Sequence, residues 1–173
     1  MRKKSFLTLR EVVLFGLFPA IIYAAQLVMS AFPNIHLTGM FIMLMTLLFR
    51  GKALIPLYVY VFLMGLTNGF NIWWIPYLYI WTVLWGMTML IPKKIPNKWA
   101  MIVYPIVCAL HGFCYGILYA PAQALLFHYN LQQTITWILS GLPFDAMHGV
   151  GNLFMGTLIL PLLKALQRFT KNP

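Results

Sequence analysis

At 173 residues, 62% hydrophobic and 8% charged, the chain departs far from an ordinary soluble domain, which is about 45–50% apolar and about 25% charged. Its apolar residues come in long blocks, which excludes a soluble core and implies one membrane domain spanning residues 1–173. The net charge of +10 does not indicate nucleic acid, because every basic group flanks apolar blocks: Arg2, Lys3, Lys4 and Arg10; Arg50 and Lys52; Lys93, Lys94 and Lys98; Lys164, Arg168 and Lys171.

Six spans are expected. The first runs from about Val12 to Ala31 and stops at "FPN". No small-residue cleavage site follows MRKK and its apolar run, so this segment reads as a retained span rather than a signal peptide. The second, about Ile35 to Phe49, ends at "RGK", and the third is Ala53 to about Leu66. A helix of about 14 residues rises only about 21 Å against a hydrocarbon core of about 30 Å, so these two are short. Their tight connection predicts an antiparallel hairpin. The fourth is about Trp74 to Ile91, with Trp73, Trp74, Tyr77, Tyr79 and Trp81 gathered at its outer end, where an interfacial aromatic belt is one reading. The fifth is Trp99 to about Tyr119. It contains Cys108 and Cys114, which six residues apart on a helix face different ways and do not suit a disulfide. The sixth runs from about Thr134 to Leu166, with a break expected near Gly141–Pro143.

Six spans put both termini on one side, together with the second–third and fourth–fifth loops. All Lys and Arg then lie on that side, and "FPNIH", "TNGFNIWW" and "APAQALLFHYNLQQ" on the other side contain none. This is the positive-inside pattern, and it makes both termini cytoplasmic. The expected fold is an all-α integral membrane protein, a six-transmembrane-helix bundle in the cell membrane.

Polar groups inside the spans mark candidate sites. Asp145, His148 and Asn152 are three and four apart and share a helix face. Asp145 lies about 16 Å along the helix from Thr134, near mid-membrane. A carboxylate at that depth faces a bundle interior or a water-filled cavity. "SGLP" above it is able to open the helix where protein or a cavity receives the freed backbone groups. Two readings stand: a ligand site, or a structural clasp with Asp145 protonated or bonded to His148. On the fifth span His111, Tyr115 and Tyr119 recur every four residues, with Gly112 and Gly116 permitting close helix approach. On the fourth, Tyr77, Trp81 and Trp85 do the same. Together they describe either a cavity with flat aromatic walls, as a small-molecule site needs, or an aromatic core. Gln26 and Ser30 add polar groups on the first span. A stripe of Gly16, Ala20 and Ala24 lets a further helix, internal or from a partner, come close.

Other chemistries find little support. His36, His111, His128 and His148 lack the close spacing of a shared metal site, and HExxH is absent. Neither paired acids nor a GxSG nucleophile motif is present, and Glu11 lies too near the cytoplasmic end to serve a protease. Lipid or prenyl enzymology lacks an acid–base pair. The chain reads as no enzyme and needs no cofactor. It has no Walker A pattern, so active transport requires energy from another subunit.

With Leu142–Asp145 ("LPFD") opening the last helix, Pro161–Leu162 near its cytoplasmic end, and the stripe on the first span, the chain resembles a substrate-binding S component of an energy-coupling factor (ECF) transporter. Gly16 stands where an alanine of the family's stripe is expected. The resemblance implies a high-affinity binder of a vitamin or related micronutrient. Its outward pocket would be capped by the first–second, third–fourth and fifth–sixth connections. It also implies docking on a membrane coupling subunit driven by two ATP-binding cassette ATPases. The absence of Lys and Arg on the outer side counts against an anionic substrate. Aromatic walls (Trp74, Tyr77, Trp81, His111, Tyr115) with Asn34, Asn68, Asn71, Gln123 and Asn130 suit an uncharged, ring-bearing ligand. Cobalamin leads, and a pyrimidine precursor or queuosine-like base remains open. The alternative is a small membrane assembly or structural subunit with no ligand pocket.

Overall fold

The computed structural model describes residues 6–32 and 35–171, all helices and connections. Eight α-helices follow in order: α1 (Leu9–Met29), α2 (Thr38–Phe49), α3 (Leu54–Asn68), α4 (Tyr77–Met89), α5 (Asn97–Phe113), α6 (Tyr115–Phe127), α7 (Leu131–Gly156) and α8 (Ile159–Lys171). Short 3₁₀ turns occupy Arg50–Ala53 and Ile72–Trp74. Four helical stretches are long and apolar enough to cross a membrane: Leu9–Met29, Thr38–Asn68, Asn97–Phe127 and Leu131–Arg168. Helices suit an apolar solvent because they satisfy their own backbone groups. Large apolar side chains such as Leu17, Phe62, Ile106, Ile117 and Phe154 point outward. Such a surface is compatible with lipid contact.

α1 starts with a capping box. Thr8 Oγ1 accepts the Glu11 N–H at 3.2 Å, and the Glu11 carboxylate accepts the Thr8 N–H at 2.9 Å. The same carboxylate binds Lys52 Nζ at 2.7 Å, tying the start of α1 to the α2–α3 connection. Phe15, Phe18 and Ile22 form the buried face of α1, while Gly16, Ala20 and Ala24 lie exposed on the other side.

The 12 residues of α2 and 15 of α3 rise about 18 and 22 Å, short as expected. Between them Arg50 adopts φ 52, a backbone state that non-glycine residues rarely occupy and that surrounding contacts must hold. The contacts are present. The Arg50 guanidinium donates to Met89 O at 2.6 Å and Ile91 O at 3.2 Å, and Arg50 O accepts from Trp85 Nε1 at 3.2 Å. A cation thus caps the C-terminal carbonyls of α4, where the helix dipole favours it. α4 packs beside both α2 and α3, but the two helices of the expected hairpin do not pack closely on each other; α3 lies chiefly against α1 instead. Thr46 and Thr88, both buried, donate to their own helices at Ile42 O and Leu84 O.

The last two long stretches are each interrupted. The expected fifth span runs further than Tyr119: α5 stops at Phe113, Cys114 forms the joint, and α6 continues to Phe127. The expected break at Gly141–Pro143 is not there. α7 runs unbroken through it, and the interruption falls at Thr157–Leu158. Pro143 removes one donor from the helix but does not stop it. Pro161, third in α8, sits in a first turn, where a missing N–H costs nothing. The chain therefore restarts its helix just ahead of Pro161.

α5 and α7 form the most extensive helix pair, and glycines allow it. A Cβ at Gly156 would lie 2.6 Å from Pro105 Cα, one at Gly112 2.9 Å from Gly149 Cα, and one at Gly149 would meet the Phe113 ring. Small residues let membrane helices approach backbone to backbone.

Candidate functional site

The face of α7 predicted to carry Asp145, His148 and Asn152 is buried at all three positions. Each residue finds a different neighbour. Asp145 Oδ1 accepts the Gly116 N–H at 2.9 Å. Gly116 is the second residue of α6, so its N–H is one of the donors a helix start leaves unpaired. The joint at Cys114 creates the donor, and the carboxylate from α7 answers it. Asp145 is therefore bonded to the backbone rather than to His148. Asn152 Nδ2 donates to Cys108 O at 3.3 Å. His148 stacks against Tyr115 at 4.7 Å between ring centroids and meets His36 edge-on at 5.5 Å. Burial holds the His36 imidazole, in the α1–α2 connection, below its ordinary pKa.

The aromatic rows of α4, α5 and α6 meet this face. Trp81 lies 5.5 Å from Tyr77, 5.6 Å from His111 and 6.0 Å from Tyr115 between ring centroids. Tyr115 continues to Tyr119 and, through His148, to His36. Tyr77, Trp81, His111, Tyr115 and His148 thus form one interior ring cluster drawn from four helices, with Asn152 one turn beyond His148 on the same buried face of α7. Tyr119 leaves it, donating to Trp73 O at 3.2 Å and stacking on Trp137.

Among the described residues, buried polar atoms in and beside the cluster have no hydrogen-bond partner: Trp81 Nε1, His111 Nδ1, His148 Nε2, Asn152 Oδ1 and Asp145 Oδ2. Most buried polar groups in proteins are paired, so such a concentration requires an explanation. His111 Nε2 lies 3.1 Å from Ile80 O. A carbonyl only accepts, so Nε2 carries the proton and Nδ1 is left as an acceptor in neutral imidazole. Trp81 Nε1 is a donor only. The cluster therefore offers an unused donor and an unused acceptor on neighbouring rings, with no cation.

Other expected contributors lie elsewhere. Trp74 donates to Val61 O at 2.8 Å and packs edge-on to Phe70, locking the turn before α4. Asn68 bonds to Met64 O and Thr67 Oγ1 at the exposed end of α3, and Asn71 is exposed in the next connection. Asn130 is engaged in the capping box of α7 with Gln133. Asn34 lies outside the described residues. Gln26 Oε1 accepts from Thr38 Oγ1 at 3.0 Å, near the cluster's His36 edge. Tyr60, fully buried, was missed by sequence reasoning; its signal is a phenol in the middle of an otherwise apolar span. Gly39, whose Cβ would stand 3.3 Å from Cys108 Sγ and 3.4 Å from Asn152 Nδ2, had no signal.

A groove of about 600 Å³ at the start of α7 is lined by Tyr129, Asn130, Gln132, Gln133, Thr136, Trp137 and Ser140, and meets the ring row through the Trp137–Tyr119 stack. Among the described residues no three of His, Cys, Asp and Glu converge as a metal site would require, and Cys108 and Cys114 are both free. In comparisons with known proteins, no family model, curated protein or solved structure matches the chain.

Proposed function

We propose that this chain is the substrate-binding subunit of an ECF-type uptake transporter, taking up a neutral, ring-bearing vitamin or related micronutrient. The observation that carries the reading is the buried ring cluster with unused donors and acceptors and no cation. Flat aromatic faces with a few polar tips are the usual equipment of small-molecule sites. Gly16, Ala20 and Ala24 would be the face for the coupling subunit, which with two ATPases supplies the energy. Thr38–Asn68 read as a hairpin crosses twice, and α4 adds a crossing, giving six in a multi-pass bacterial plasma-membrane protein. Both termini are then cytoplasmic.

Binding requires the rings to part, since they stand 4.7–6.2 Å apart. A second reading draws on a specific observation: Asp145 and Asn152 already have backbone partners, as in a clasp that holds a non-transport assembly subunit together. A thermal-shift screen of the purified protein against a vitamin panel, cobalamin first and pyrimidine and queuosine-like bases next, separates the two. A ligand at 100 times its Kd stabilises a folded protein by about 2.7 kcal/mol. Trp81→Ala is expected to weaken the hit several-fold, since ring stacking is worth about 0.5–1.5 kcal/mol beyond burial. No hit across the panel, or unchanged affinity in both Trp81→Ala and Tyr115→Ala, favours the clasp.

A further inference from the structure

Between α1, α2 and α8 runs a groove of about 210 Å³ whose lining has no polar surface. Leu14, Leu17 and Ile21 form one wall, Phe41 the floor, and Leu162 and Ala165 the other wall. Leu17 and Ile21 are exposed on the outside of the bundle, so the groove opens sideways. Its basic end carries two exposed cations. Arg10 stands one turn before Leu14 on the same row of α1, and Arg168 stands one turn after Ala165 on α8.

The chain has only two acidic residues, and neither serves these arginines. Glu11 is held by Lys52 at 2.7 Å, and Asp145 is buried against Gly116. Among the described residues no carboxylate pairs with Arg10 or Arg168, so both are open to an anion from outside. We propose that this groove binds one anionic phospholipid from the leaflet at the basic end. One acyl chain lies along Leu14, Leu17 and Leu162, and the phosphate sits between Arg10 and Arg168. The apolar lining matches hydrocarbon and offers nothing to a polar ligand. Each guanidinium group suits a phosphate, which Arg binds in bidentate fashion. Basic pockets between membrane helices recognise anionic headgroups for this reason. The site is independent of the interior ring cluster.

The test titrates the purified full chain in neutral detergent with phosphatidylglycerol or phosphatidylcholine of identical acyl chains, read by native mass spectrometry and thermal unfolding. Phosphatidylglycerol is expected to bind about tenfold tighter or more, the effect of two cations near an anionic group. Arg10→Gln with Arg168→Gln is expected to remove the preference, while Lys93→Gln with Lys94→Gln retains it. Ala165→Trp, which fills the groove, is expected to weaken both lipids. Equal binding of the two lipids, or a preference that survives the double arginine change, overturns the proposal. So does loss of the preference in the lysine control, which assigns it to diffuse charge, or stabilisation by inorganic phosphate alone. If Ala165→Trp leaves lipid binding intact but abolishes copurification of another membrane protein, the groove holds a partner helix and the proposal fails.

Discussion

A carboxylate inside an apolar bundle needs donors, and Gly116 supplies one because α6 begins anew at Tyr115. Asp145→Asn keeps an acceptor oxygen and is expected to retain most stability. Asp145→Ala leaves the helix-start N–H unanswered, and loss of a cap costs about 0.5–2 kcal/mol; thermal unfolding in detergent distinguishes the two. That Asp145, His148 and Asn152 share a buried face was legible from spacing. The partner of Asp145 was not, because Gly112 and Gly116, which flank the joint at Cys114, read as points of close helix approach rather than as a helix break. His36 gives a pH dependence. Its buried ring has a folded pKa below its ordinary one, so the unfolded chain takes up the proton first as pH falls. The neutral ring's stability is present above about 6.5 and is lost on descending toward the folded value. His36→Gln is expected to flatten the fall in melting temperature between neutral and mildly acidic pH; an identical fall in both proteins refutes the assignment.

Two glycine positions in helices test opposite faces with the same substitution. Gly156→Leu places a side chain where Pro105 Cα already stands. Overpacking of this kind costs about 1–3 kcal/mol or more, so a lower melting temperature is expected. A Cβ at Gly16 meets nothing within 4 Å, so Gly16→Leu is expected to leave stability within about 0.5 kcal/mol, as for an exposed site. If the proposed coupling face is right, Gly16→Leu and Ala20→Trp still abolish copurification with a coupling subunit and leave ligand affinity unchanged. The shortness of α2 and α3 was visible in the distances from "FPN" to "RGK" and from "RGK" to "TNGFN". The interruption of the last long stretch was misplaced because "SGLP" looks like a breaker. A proline inside a helix removes one bond, while one in the first turn of a new helix removes none, so Pro161 marks the actual joint. The expected fourth span starts at Trp74, but the helix starts only at Tyr77, and the turn before it aims the Trp74 indole at Val61.

For the molecule as a whole, the placement of Lys and Arg predicts orientation. In a cysteine-free background, single cysteines at Asn71 and Asn130 are expected to react with an impermeant reagent from outside, and one at Lys94 is not. Modification at 94 alone reverses the arrangement. The structure draws three of the basic segments together: Lys52 reaches Glu11 at the start of α1, and Arg50 grips the end of α4 just before Lys93. This clustering has an electrical consequence. Moving one elementary charge across a membrane held at 100 mV changes its energy by about 2.3 kcal/mol. If this end faces the cytoplasm as proposed, an interior-negative voltage holds Arg50 there and opposes any tilt that carries it toward the other face, while Lys52, neutralised by Glu11, adds no net charge. A rocking motion in the bilayer would be voltage-sensitive, slowing as the membrane polarises, even though neither of the chain's two carboxylates moves a proton.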